Sequence, residues 1–128
     1  SWKAVGNQGF AAKIDYLQTL KASCVEKIRQ SETLEMLAPA AYVNVLFRYH
    51  PENMTDEDEL RRLNIAICKT MMNDGGPYVD YAQYKGRYGI RLILANEEVG
   101  EDQLMFLLAL CEQTGRDIAS RMRSLAND

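Results

Sequence analysis

Two β-rich runs, residues 78–84 and 88–95, flank the segment Lys85-Gly86-Arg87. A short loop that contains glycine between two such runs predicts a β-hairpin. The two strands of a hairpin are antiparallel neighbours, so this feature fixes part of a sheet before the rest of the chain is considered. The remaining segments must then be elements that pack with this hairpin.

Three segments carry apolar residues at the spacing of three, four or seven that places them on one face of a helix. The first runs from Phe10 to Ile28. The second follows Thr55, which opens a sequence similar to a capping box, and it is predicted to end at residues 73–77, Asn-Asp-Gly-Gly-Pro. The third follows Glu101-Asp102, an acidic first turn that suits the positive end of the helix macrodipole.

Two further segments predict strands. Thr33–Leu37 is a short extended piece, and the alternation from Ala41 to Tyr49 predicts a strand with one strongly buried face. The order is therefore helix, short strand, strand, helix, strand, strand, helix. We expect an α+β fold, with a small antiparallel or mixed sheet of three to four strands and helices packed on one face. Because the other face is half apolar, we expect it to dock against something outside this chain.

The charge balance argues against a nucleic-acid partner. The 128 residues include 15 Lys and Arg against 18 Asp and Glu, a formal net charge of -3, whereas modules that bind phosphates usually carry a basic face. The longest apolar run, Met105–Cys111, is too short to cross a membrane, and residues 1–10 lack the features of a signal peptide. We expect a cytoplasmic protein with no nucleic-acid partner and no membrane partner.

The cysteines and the histidine do not form a recognisable site. Cys24, Cys68 and Cys111 lie far apart among apolar residues, which predicts reduced core residues and no disulfide framework. His50 is the only histidine, and no cysteine has a second type of ligand at a metal-binding spacing, so no metal site is predicted. His50 precedes Pro51 at a strand end, where we expect a solvated imidazole or one bonded to the backbone.

Arg91 stands out because it interrupts the most hydrophobic strand, between Ile90 and Leu92. A guanidinium there must reach water across an exposed sheet face or pair with an anion, since burying it unpaired is costly. Its planar fork matches a carboxylate through two parallel hydrogen bonds. From the residues alone, anion binding, a structural salt bridge and a solvated face all stay open. Arg48 is expected near an edge.

Several segments together resemble one family. They are Ser1–Gly6 with Gly9-Phe10, Tyr42–Tyr49 and, above all, Lys85–Asn96. In order and spacing they are similar to the C-terminal small domain of the group II pyridoxal-phosphate-dependent decarboxylases. That family includes glutamate, L-2,4-diaminobutyrate, cysteine sulfinate and aromatic amino acid decarboxylases. The resemblance spans nearly all of this chain but only the final part of such an enzyme.

The resemblance implies a domain organisation and a site. Residues 1–31 would be a helix leading from a missing large cofactor domain, and residues 32–128 would be the C-terminal α+β small domain that caps the active site of a homodimer. Arg91 matches the family arginine that receives a carboxylate of the amino acid substrate, which we expect to be glutamate-like or diaminobutyrate-like. The chain opens with Ser1 in place of Met, so we expect a piece of a longer protein.

The resemblance also implies what this stretch lacks. The family's cofactor lysine follows a histidine, and no lysine here does. We therefore expect no catalytic residue, no cofactor-binding residue and no bound cofactor in this chain, which would be inactive alone, within a parent enzyme that is a pyridoxal-phosphate-dependent carboxy-lyase. The alternative is a stand-alone ferredoxin-like module for ligand binding or regulation, since strand, helix, strand, strand, helix from Ala41 onward also fits that class.

Overall fold

The computed structural model describes residues 2–40, 44–73, 79–94 and 100–127. The elements occur in the predicted order: α1 (Trp2–Gln30), β1 (Leu34–Met36), β2 (Asn44–Tyr49), α2 (Glu57–Asn73), β3 (Val79–Tyr84), β4 (Arg87–Ile93) and α3 (Glu101–Asn127). The first three residues of the strand predicted over 41–49 lie outside the described residues, as do residues 74–77 of the predicted helix end. The described parts of the predicted helices and strands are confirmed.

The four strands form one antiparallel sheet in the order β1-β2-β4-β3. The hairpin of β3 and β4 pairs Tyr84 with Arg87, so its turn consists of Lys85 and Gly86 alone. Both turn residues have positive φ angles, 51° and 81°, which is the backbone of a type I′ turn and matches the twist of the strands. The α+β class is confirmed, and the sheet is antiparallel throughout its described strands.

The core lies between one face of this sheet and the helices. Alternate strand residues such as Val45, Phe47, Ile90 and Leu92 are fully or almost fully buried there. The helices contribute a larger apolar set to the same cluster: Leu20, Cys24, Ile28, Leu60, Leu63, Ile67, Cys68, Met71, Leu104, Leu108, Cys111, Ile118 and Ala119. One face of the sheet is thereby closed, and the site must be sought on the other face or at its ends.

A side-chain oxygen accepts a backbone N–H at the start of each of the two later helices. Asp58 donates its backbone N–H to Asp56 Oδ1 at 3.0 Å, so Asp56 caps α2 in place of the expected Thr55. Gly100 precedes α3, and its N–H donates to Gln103 Oε1 at 3.1 Å. Both contacts satisfy groups that a helix start leaves open. No helix in the described ranges is long and apolar enough to span a bilayer.

The three cysteines are free thiols inside the core, as predicted. Burial raises the pKa of the Cys24 thiol to about 12, that of Cys68 to about 11 and that of Cys111 to about 12. A thiol must ionise before it reacts with a disulfide reagent. These cysteines are therefore core packing residues.

We expect all three thiols to be protected in the folded chain. Ellman's reagent at neutral pH should modify them at least ~100-fold more slowly than in denaturant, because both access and ionisation are suppressed. Absorbance of the released thiolate measures the rate. A cysteine that reacts as fast in the folded as in the unfolded chain would contradict its placement in the core.

Candidate functional site

The face of the sheet turned away from the helices carries the candidate site. Strand alternation and register put three arginines on this face, Arg48 on β2 and Arg87 and Arg91 on β4. Two carboxylates, Glu35 on β1 and Asp80 on β3, share the face through the same pairings. We call this surface the open face.

Arg91 lies between Leu46 on β2 and Asp80 on β3, because the register pairs it with both. Its Nε donates to Asp80 Oδ1 at 2.8 Å, and its Nη2 donates to Asp80 Oδ2 at 2.5 Å. Both side chains are 39% exposed. The hydrogen bonds to Asp80 raise the pKa of Arg91 above its ordinary value, so the guanidinium stays charged. The salt-bridge alternative is thus realised inside the chain.

The bidentate contact uses only one side of the Arg91 guanidinium. The group has five N–H donors, and Asp80 accepts from two of them. Within the described part of the chain, the two N–H groups of Nη1 have no partner. The edge between Nη1 and Nη2 can therefore accept a second carboxylate while the first remains in place.

Arg48 occupies an inner strand, and the expectation that it lies near an edge is wrong. β2 is flanked by β1 and β4, and Arg48 is 2% exposed. Its Nη2 lies 3.1 Å from Glu35 Oε1, and its Nη1 donates to Glu57 Oε2 at 2.9 Å. Its Nε has no hydrogen-bond partner among the described residues. A buried guanidinium is tolerated here because two carboxylates face it.

Glu35 joins these charges to His50. Nδ1 of His50 lies 2.7 Å from Glu35 Oε2, and Nε2 lies 3.0 Å from the backbone oxygen of Met54. Burial acts to raise the pKa of Glu35, but the hydrogen bond with His50 and the charge of Arg48 outweigh it, so this pKa lies below its ordinary value. Arg87 approaches Glu35 at 3.9 Å and completes the group. The His50 imidazole therefore contacts the backbone, which is one of the two environments expected from the sequence.

The charges of the open face and its margin cancel. Arg48, Arg87 and Arg91 are matched by Glu35, Glu57 and Asp80, each within 4.0 Å of at least one arginine. Sequence reasoning singled out Arg91 but missed Asp80 and the buried state of Arg48. The signal for Arg48 was its place in an apolar strand, the same signal that identified Arg91.

An open groove of about 420 Å³ lies elsewhere, at the end of α1 and beside α3. Its lining mixes charges of both signs, including Lys27, Glu112 and Arg116. Ser31 Oγ in this groove accepts the N–H groups of Thr33 and Leu34, so the hydroxyl serves the turn into β1. No group of three metal-binding side chains occurs in the described ranges. The open face is the stronger candidate.

The chain is similar to several decarboxylases, although no family model matches it. The acidic amino acid decarboxylase GADL1 of Mus musculus is 27% identical over 126 residues, which cover 92% of this chain and 23% of that protein. The cysteine sulfinic acid decarboxylase of Mus musculus is 27% identical over 125 residues, which cover 91% of this chain and 25% of that protein. The chain thus spans about a quarter of the length of the curated relatives it matches.

Solved structures extend the similarity to the fold. Mouse CSAD in its apo form superposes with a TM-score of 0.79 and 27% identity, covering 91% of this chain and 26% of that chain. The glutamate decarboxylase domain of a Vibrio parahaemolyticus protein, diaminobutyrate-pyruvate transaminase and L-2,4-diaminobutyrate decarboxylase, shares the fold at a TM-score of 0.74 and 23% identity. Sequence and fold agree: this chain is similar to a C-terminal part of the group II pyridoxal-phosphate-dependent decarboxylases.

Proposed function

We propose that this chain is the C-terminal small domain of a pyridoxal-phosphate-dependent amino acid decarboxylase, a carboxy-lyase, and that Arg91 binds a carboxylate of the substrate. Residues 1–31 would lead from a large cofactor domain outside this chain, and residues 32–128 would cap the active site. The observation that carries the proposal is the Nη1–Nη2 edge of Arg91, which has no partner among the described residues and lies on the exposed part of the open face.

The side chains described here do not fit pyridoxal phosphate itself. The cofactor needs a lysine to hold it and a cradle for its phosphate. Of the lysines whose side chains are described, Lys27, Lys69 and Lys85 are exposed and Lys21 is half-buried on α1. The Lys85 ammonium lies over the ring of its neighbour Tyr84, 5.4 Å from the centroid. When bound, the cofactor supplies the electron sink for loss of carbon dioxide. It would be held by the rest of the parent enzyme, and this chain alone would be inactive.

This chain's own part in the reaction is binding and exclusion of water. The rigid β4 backbone presents Arg91 in the middle of a strand, and an arginine held in one orientation loses little freedom when a carboxylate binds. The open face would close against the large domain, and closure of an active site strengthens the electrostatic contacts inside it. Assembly of the parent enzyme as a homodimer in the cytoplasm belongs to the same proposal.

The test is Arg91→Gln in the full-length parent enzyme. We expect kcat/KM for the amino acid substrate to fall about 10- to 100-fold, because a hydrogen-bonded charge pair is lost. Decarboxylation is followed as carbon dioxide release under saturating cofactor. Arg116→Gln is the matched control, since Arg116 is an exposed arginine of α3. Equal kinetics for the two variants would remove Arg91 from the substrate site.

A further inference from the structure

The pair of Asp80 and Arg91 carries no net charge, yet among the described residues both partners keep hydrogen-bonding positions that are not used. Each oxygen of Asp80 accepts one hydrogen bond from Arg91. A carboxylate oxygen has two acceptor positions, so each can accept one bond more. Both side chains are exposed to the same extent, 39%. The pair thus presents a donor edge for an anion beside an acceptor for a cation.

We propose that Asp80 is a specificity-determining residue that selects substrates carrying a second amino group over substrates carrying a second carboxylate. The inference rests on the proposed function, in which Arg91 binds a carboxylate. The carboxylate of such a substrate binds the Nη1–Nη2 edge of Arg91, and its side-chain ammonium donates to Asp80. The substrate class is therefore the diamino acids.

The charges of the open face support this choice. A dicarboxylic substrate brings two negative charges, and a site that favours it needs a surplus of positive charge. Here every described arginine of the face is already matched: Arg48 and Arg87 by Glu35 and Glu57, and Arg91 by Asp80. A second carboxylate near Arg91 would meet the charge of Asp80. A diamino acid has charges of both signs outside the reacting amine and matches the pair.

Asp80→Asn in the full-length holoenzyme tests the inference, with 2,4-diaminobutyrate and glutamate as the two probes. Asn keeps the size of the side chain and one acceptor oxygen but removes the charge. We expect kcat/KM for 2,4-diaminobutyrate to fall and that for glutamate to rise, each by about tenfold, because one neighbouring charge has been removed. Asp117→Asn is the matched control, since Asp117 is exposed on α3.

Because the two values of kcat/KM are expected to change in opposite directions, the experiment distinguishes a role in substrate specificity from a purely structural role of Asp80. A fall for both probes alike would mean that Asp80 merely holds Arg91 in place, and it would overturn the inference. A wild-type enzyme that prefers glutamate, or that uses neither probe, would also overturn it. If Arg91→Gln still impairs whichever amino acid the enzyme accepts, the proposed function survives that result. If Arg91→Gln has no effect, the proposed function fails and takes the inference with it.

Discussion

Asn64→Leu should lower the free energy of unfolding by about 3 kcal/mol, because it leaves two buried backbone groups without partners. Asn64 is fully buried in α2. Its Oδ1 accepts the N–H of Tyr49 at 2.8 Å, and its Nδ2 donates to the carbonyl oxygens of Tyr49 at 3.0 Å and Leu60 at 2.9 Å. The Asn64 amide thus satisfies both backbone hydrogen-bonding groups of Tyr49, the last residue of β2.

The need for this amide follows from the strand register. The pairing of β2 with β4 ends at Phe47 opposite Ile90. On the other side, His50 donates its N–H to Thr33, so Tyr49 lies at a non-hydrogen-bonded position toward β1. The peptide groups of Tyr49 therefore have no strand partner, and Asn64 takes that role.

Urea unfolding followed by circular dichroism measures the effect on this chain. Gln113→Leu is a suitable control, since Gln113 is an exposed residue of α3 whose amide bonds only to exposed neighbours. We expect the control to change stability by less than about 0.5 kcal/mol. A similar small change for Asn64→Leu would contradict the structural role assigned to the amide.

Gly89→Ala should destabilise the sheet by about 3 kcal/mol, at the upper end of what an extra methyl group costs at a buried, tightly packed position. A methyl group at Gly89 would clash with the carbonyl oxygen of Phe47 on the neighbouring strand and with Leu37 Cδ1. A backbone atom cannot move aside without breaking the strand pairing. The gain of about 0.4–1 kcal/mol from a stiffer unfolded chain is too small to offset the clash.

Gly100→Ala is the matched control for that variant. A methyl group at Gly100 would meet no atom within 4 Å, and the position precedes α3. We expect a loss below about 1 kcal/mol, the cost of a poorer helix cap. The melting temperatures of the two variants, measured by calorimetry, should therefore differ clearly. Equal melting temperatures would show that the close approach at Gly89 is relieved at little cost.

The helices and the hairpin could be predicted because each has a local signature. Apolar spacing identified α1, α2 and α3, and the glycine loop identified the β3–β4 turn. The capping residue of α2 was assigned one position too early, to Thr55 in place of Asp56. Both residue types are good caps, and the choice depends on how the chain turns after Pro51, which neighbouring residues alone do not determine.

The partner of Arg91 could not be predicted, because it depends on the length of one turn. A three-residue loop at 85–87 would pair Tyr84 with Tyr88 and place Tyr81 opposite Arg91. The structure has a two-residue turn, which pairs Tyr84 with Arg87 and places Asp80 there. A shift of one residue exchanges the faces of a strand, so Asp80 reaches Arg91 only in this register.

Arg48 and Asn64 were missed for a different reason. The order of strands in a sheet is set by pairings between distant segments, and these pairings made β2 an inner strand. The sequence did contain a signal for Asn64, since it is a polar residue four positions after Leu60 on the apolar face of α2. A polar residue on a core face needs hydrogen-bond partners, and an unpaired strand end supplies them.

β3 is one of the two outer strands of the described sheet and, among the described strands, pairs only with β4. No described strand pairs with the backbone N–H and C=O groups on its outer side, and its one charged residue, Asp80, is paired with Arg91. Natural proteins protect edge strands with charges, prolines or a covering segment, because an unprotected edge strand can pair with a strand of another molecule. We therefore expect concentrated solutions of this chain to aggregate through the outer side of β3, and we expect the large domain of the proposed parent enzyme to suppress that aggregation.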